Sequence, residues 1–152
     1  YDRRVTDLFE TIGVMASPSS EDLSKALADT PGLAFAVLIG SRAQQTAWQD
    51  SDWDIAVSWK PMADAFLRLG RHESLRHRLA QCLQLVDDKV DLIDLAAARL
   101  AMKALVVEEG KVLHINDELA WAYFQTTTWR ELEDYYWDRA HAACATGLST
   151  TT

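Results

Sequence analysis

The sequence predicts a small α+β domain, with helices flanking a mixed β-sheet in two layers and a long helical segment at the end. Three observations support this fold class. Short apolar runs bounded by turn residues have the length of strands. Stretches between them carry apolar residues at helical spacing. A final stretch of helical pattern is rich in aromatic residues. At 152 residues we expect one domain, residues 1–152, with its core at about residues 20–115.

The predicted elements follow one another closely along the chain. Strands are expected at residues 33–39, 55–59, 90–95 and 111–115. Helices are expected within residues 1–16, from Ser19 or Ser20 to about residue 28, and over residues 61–85, 96–109 and about 117–146. Pro61 suits a first helical position, and Gly110 suits the position after a helix. Gly70 and the Thr126–Thr128 run are places where a helix can be interrupted or bent.

The last helical segment carries seven aromatic side chains, and two interpretations of them stay open. The residues are Trp121, Tyr123, Phe124, Trp129, Tyr135, Tyr136 and Trp137. They can pack on the core of the domain. They can equally form an interface with a partner, because aromatic residues dominate the binding energy of protein interfaces.

The composition favours some classes of function over others. The formal net charge of −8 argues against direct nucleic-acid binding, which requires a cationic surface. It suits a basic protein partner, or a small substrate that arrives with metal. The sequence has no apolar run long enough for a membrane span. Cys82 and Cys144 lack ligand partners at metal-binding spacing, which fits buried or idle thiols in a reducing cytoplasm.

The most informative stretch joins the first two predicted strands. Gly40 and Ser41 end the first strand, and Asp52 and Asp54 open the second. Side chains two apart on a strand share a face, so the two carboxylates project together and Trp53 points the other way. Ala56 and Ser58 fall on the carboxylate face, where their small size leaves room for a ligand.

Adjacent carboxylates repel each other, and a divalent cation is the usual remedy. Mg²⁺ takes one or two carboxylates and completes its shell with water and phosphates. The glycine lets the backbone approach a phosphate, and N–H groups with the Ser41 hydroxyl can hold its oxygens. The pattern thus indicates metal-dependent phosphoryl or nucleotidyl transfer. The alternative is a polar loop followed by an edge strand with two solvated aspartates.

The spacing from Gly40-Ser41 to Asp52-x-Asp54 resembles that of the polymerase-β-like nucleotidyltransferases. It is most similar to their minimal members, the MNT antitoxins encoded beside HEPN toxins. That resemblance implies a third acidic residue on a neighbouring strand. Asp91 and Asp94 both lie in the third predicted strand, but they point to opposite faces. The resemblance places the acid in the middle of the strand, which favours Asp91, and Asp94 can cap the following helix.

The resemblance also implies an activity. The protein is expected to transfer AMP from ATP to a tyrosine hydroxyl on a HEPN RNase toxin and so silence it. Asp52, Asp54 and Asp91 are the expected catalytic residues and the ligands of two Mg²⁺ ions. Gly40 and Ser41 are expected to hold the nucleotide phosphates. Arg42 can neutralise the leaving pyrophosphate or pair with a surface carboxylate.

Two other functions remain open at this point. The protein can be an antitoxin that masks the toxin by contact without catalysis, or a nucleotidyltransferase for small molecules.

Overall fold

The computed structural model describes residues 20–43 and 52–149. The helix expected within residues 1–16 and most of the connection before Asp52 lie outside these ranges. The helices are α1 (Ser20–Ala28), α2 (Ala65–Cys82), α3 (Leu100–Glu109) and α4 (Glu118–Ser149), and the strands are β1 (Leu33–Ile39), β2 (Trp53–Trp59), β3 (Val90–Asp94) and β4 (Lys111–Ile115). Short 3₁₀ turns at Asp87–Lys89 and Leu95–Ala97 flank β3.

The four strands form one mixed sheet in the order β3-β2-β1-β4. β1 is antiparallel to both β2 and β4, whereas β2 and β3 are parallel. A parallel pair needs a long crossover, and α2 supplies it. The mixed sheet with flanking helices is therefore confirmed, and β1 and β4 have the predicted bounds.

Apolar side chains cover both faces of the sheet, which adds a third layer to the two expected. On one face, Trp53, Ile55 and Val57 of β2 pack with residues of α1 and α2. On the other, Phe35 and Ala56 pack with residues of α3 and α4. The alternation of side chains suggested a face that is open to a ligand from Asp52 to Ser58. Ala56 is fully buried, so this face is not open along its whole length.

The start of α2 differs from the prediction. Pro61 precedes the helix, and Asp64 caps it by accepting hydrogen bonds from the N–H groups of Phe66 and Leu67 at 2.9 and 3.2 Å. A side-chain cap satisfies N–H groups that the helix itself leaves unpaired, which explains why the helix begins here. Gly70 does not interrupt α2, which runs unbroken to Cys82.

Gly110 ends α3 as expected, but for a different reason. Its φ of −67° is open to any residue, so left-handed backbone is not what requires glycine. A Cβ at this position would collide with the Val106 carbonyl oxygen and lie 2.5 Å from Val37 Cγ1. The absence of a side chain therefore lets the turn into β4 pass close to β1.

Of the seven aromatic side chains on the long helix α4, two pack on the core of the domain and five are exposed. Trp121 and Phe124 pack against Phe35 of β1, with ring centroids 4.9 and 5.3 Å from it. The other five aromatic side chains are exposed. The helix continues through Thr126–Thr128, where the Thr126 and Thr127 hydroxyls donate to carbonyls four residues earlier. None of the described helices is both long and apolar enough to cross a lipid bilayer.

Candidate active site

The strand register brings two of the predicted acidic residues together. Asp54 and Asp91 are directly paired across the parallel strands β2 and β3, so their side chains project from the same face. Asp52 directly precedes β2, and its side chain is 56% exposed. The three carboxylates therefore lie at one end of the two strands.

Asp94 has a different set of partners. It pairs in register with Val57, whose side chain belongs to the face packed by α1 and α2. Arg68 of α2 donates to its two carboxylate oxygens at 3.0 and 2.8 Å. The carboxylate also accepts a hydrogen bond from the Ala96 N–H at 3.0 Å, so Asp94 caps the turn after β3 as predicted. Asp94 thus joins β3 to α2 and points away from the other three carboxylates.

Gly40 lies against the Asp54 carboxylate. Its φ is +77°, in the left-handed region that favours glycine, and a Cβ there would lie 2.5 Å from Asp54 Oδ2. The Ala43 N–H donates to the Gly40 carbonyl at 3.1 Å and closes a tight turn after β1. Glycine is needed here both for its backbone angle and because the carboxylate occupies the place of a side chain.

The electrostatic environment disfavours the charged form of Asp54. Burial raises the pKa of the Asp54 carboxyl, and the neighbouring charges of Asp91 and Asp52 raise it further. An added cation would remove both repulsions, so these side chains fit a divalent ion chemically. Across residues 20–43 and 52–149, however, no three metal-binding side chains converge closely enough to hold an ion by themselves. Water and substrate phosphates would have to complete the shell, as is common for Mg²⁺.

Arg42 is buried, which its place in a polar turn did not indicate. Its guanidinium carbon lies 4.9 Å from the centroid of the Trp53 ring, and the residue is only 8% exposed. Burial lowers the pKa of Arg42, and the charge of Asp52 partly offsets that effect. The guanidinium remains charged, since arginine does not lose its proton in proteins. The guanidinium thus packs on Trp53 while its charge lies near Asp52.

Comparison with known proteins assigns the chain to a family. Residues 21–119 match the family model of polymerase beta nucleotidyltransferases. The chain belongs to this family. The matched residues include the Gly40 turn and all three carboxylates. Membership of the family supports the nucleotidyltransferase activity that the motif predicts.

Comparison with individual proteins shows which nucleotidyltransferases this chain resembles. The nucleotidyltransferase is 37% identical over 100 residues to the protein adenylyltransferase MntA of Shewanella oneidensis, covering 65% of this chain and 67% of MntA. A crystal structure of a toxin–antitoxin with AMP-PNP contains a chain with TM-score 0.62 and 27% identity, covering 84% of this chain and 98% of that one. The tri-AMPylated Shewanella oneidensis HEPN toxin in complex with MNT antitoxin gives a TM-score of 0.54 and 25% identity, covering 84% and 94%.

Lys89 is a further charged residue of this site, and the sequence motif does not include it. Lys89, directly before β3, places its Nζ 3.9 Å from Asp52 Oδ1. The alternation that placed Asp91 on the carboxylate face also places Lys89 there, two residues earlier. The sequence alone does not bring Lys89 to Asp52, because this requires that β3 pairs with β2 in the observed register.

Proposed function

We propose that this nucleotidyltransferase is an antitoxin that transfers AMP from ATP to a tyrosine hydroxyl of a partner HEPN RNase toxin. The observation that carries the proposal is the pairing of Asp54 with Asp91 beside the Gly40 turn. The relative named a protein adenylyltransferase supports the transfer of AMP to a protein. The complex that contains a tri-AMPylated HEPN toxin supports the class of acceptor.

The reaction requires one bond to form and one to break. The tyrosine oxygen attacks the α-phosphorus of ATP, the bond between that phosphorus and the oxygen bridging to the β-phosphorus breaks, and pyrophosphate leaves. Asp91 is exposed and adjacent to Asp54, so it can accept the proton that the tyrosine hydroxyl loses. The turn at Gly40 and Ser41 offers N–H groups and a hydroxyl for the phosphates. Arg42 adds positive charge near Asp52.

Asp52, Asp54 and Asp91 would hold two Mg²⁺ ions together with the nucleotide. Bound metal would stabilise the negative charge of the in-line displacement and lower the pKa of the attacking hydroxyl. The raised pKa of Asp54 is consistent with a carboxylate that functions beside a cation. Its ionised form is the one that binds metal.

The modification would silence the toxin by adding negative charge near its basic catalytic residues. A net charge of −8 on this chain suits a basic partner of this kind. The reaction draws on ATP and acts on an intracellular RNase, which places it in the cytoplasm.

The decisive experiment is the intact mass of the partner protein after incubation with this chain, ATP and Mg²⁺. We expect the mass to rise in steps of one AMP, and this gain to be lost in Asp52→Ala. Asp29→Ala removes the same charge from an exposed turn outside the site and should retain full transfer. A gain that persists in Asp52→Ala would refute the catalytic proposal.

A second candidate function, masking of the toxin by contact alone, is favoured by the outer half of α4. Every residue from 133 to 145 is exposed, and these thirteen residues extend about 20 Å at 1.5 Å per residue. Tyr136 and Trp137 are 57% and 62% exposed. Large aromatic side chains dominate the binding energy of protein interfaces. We propose that this outer half of α4 contacts the toxin.

Replacing Tyr136 and Trp137 together by alanine should weaken the complex by about 30- to 1000-fold, the loss expected for hot-spot aromatic residues. Calorimetric titration of the toxin measures the effect. Tyr123→Ala, at an even more exposed aromatic residue in the inner half of α4, is the control and should bind normally. Toxin that is neutralised normally by Asp52→Ala but not by the double variant would establish masking rather than catalysis. Unchanged binding by the double variant would place the interface elsewhere.

A further inference from the structure

Lys89 and the three carboxylates form two pairs of charged side chains across β2 and β3 at the active site. The register pairs Asp54 with Asp91 and Trp53 with Val90. Continued by one residue, it sets Lys89 beside Asp52, and the distance of 3.9 Å between Lys89 Nζ and Asp52 Oδ1 agrees. One ammonium group therefore lies beside Asp52, at the end of β2 and β3 from which Asp54 and Asp91 also project.

This ammonium has opposite effects on the two components of the expected substrate. A positive charge beside the carboxylates repels a free divalent cation and competes with it for Asp52. The same charge attracts the triphosphate of a nucleotide. A metal–nucleotide complex carries net negative charge, so it is favoured over the free ion. The Lys89 and Asp52 side chains are 40% and 56% exposed, which leaves the ammonium accessible to a ligand.

We propose that Lys89 determines the form of substrate that this site accepts, namely a metal-chelated nucleoside triphosphate rather than a free metal ion followed by nucleotide. Lys89 lies within ion-pair distance of Asp52. With the metal–nucleotide complex bound, Asp52 would serve the metal and Lys89 would contact a phosphate oxygen. This inference rests on the proposed nucleotide-dependent function but not on the identity of the acceptor.

Two binding measurements test the proposal without any transfer reaction. Electron paramagnetic resonance of Mn²⁺ gives the affinity for the free ion, and calorimetry gives the affinity for a non-hydrolysable ATP analogue with Mg²⁺. Lys89→Gln removes the charge at similar side-chain length. We expect it to bind free Mn²⁺ about 2- to 5-fold more tightly and the Mg²⁺–nucleotide complex about 2- to 5-fold more weakly, the effect of one partly exposed charge. Both shifts should shrink as salt increases.

Two further variants make the test specific. Lys89→Arg keeps the charge and should behave like the wild-type protein in both measurements. Lys103→Gln also removes one positive charge, but from a side chain that pairs with Glu131 at 3.0 Å between α3 and α4. It should change neither affinity, which separates a local effect of Lys89 from the change in net charge.

The outcomes separate this inference from the proposed function. Unchanged Mn²⁺ affinity in Lys89→Gln, or shifts of both ligands in the same direction, would overturn the role of Lys89 even if AMP transfer were intact. Opposite shifts in a protein that transfers nothing to the toxin would support the role of Lys89 and refute only the proposed acceptor.

Discussion

Asp54→Asn should abolish AMP transfer and, in the metal-free protein, raise the melting temperature. The activity should fall at least about 10³-fold, because the loss of metal-mediated charge stabilisation is worth several kcal/mol and each 1.36 kcal/mol is tenfold in rate. The stability should rise by a few degrees, because burial and the charges of Asp91 and Asp52 disfavour the Asp54 carboxylate in the folded state. Asparagine keeps the shape and removes the charge.

The pH dependence of stability should show the same effect. The pKa of Asp54 is higher in the folded protein than in the unfolded chain, so the folded state holds this proton more tightly. The free energy of unfolding contributed by this group is therefore greatest below the ordinary aspartate pKa and is lost as the pH rises through the raised value. Asp54→Asn should lack this decline.

Denaturant unfolding of both proteins between acidic and neutral pH, without metal, measures the difference. Added Mg²⁺ should stabilise the wild-type protein by mass action and the variant much less. Asp29→Asn, in an exposed turn, is the control and should change neither activity nor stability. An Asp54→Asn protein that is less stable than the wild type at neutral pH would contradict the repulsion inferred for this site.

Asp91→Ala and Asp94→Ala should have opposite effects, although the two residues are only three apart. Asp91→Ala should reduce transfer by at least about 10²-fold with unchanged or increased stability, since it removes one of the charges that repel Asp54. Asp94→Ala should keep its activity when folded. It loses the two hydrogen bonds from Arg68 and the cap on Ala96, which together contribute about 1–2 kcal/mol.

At this chain length, such a loss lowers the melting temperature by roughly 2–4 °C per kcal/mol. Thermal unfolding and a transfer assay well below the melting temperature test both variants. Arg68→Ala is the matched control for Asp94→Ala, because it breaks the same ion pair from the α2 side and should show the same pattern. Loss of transfer in a folded Asp94→Ala protein would show that the third acid was wrongly assigned.

The sequence by itself determined the order of the strands and main helices and which acidic residues share a strand face. Apolar runs gave the bounds of β1 and β4, because a buried strand has a continuous apolar pattern that ends at turn residues. Alternation along a strand placed Asp52 with Asp54 and separated Asp91 from Asp94. These are properties of the backbone over a few residues, so no distant contact was needed to predict them.

Only the tertiary structure decided which strands pair, in what register and under which helices. The parallel pairing of β2 with β3 sets Asp54 beside Asp91 and Lys89 beside Asp52, and joins residues more than thirty positions apart. Packing between distant elements also buried Arg42 on Trp53 and divided the aromatic residues of α4 between core and surface. Local sequence does not determine such choices, because each depends on the surface that a distant element buries.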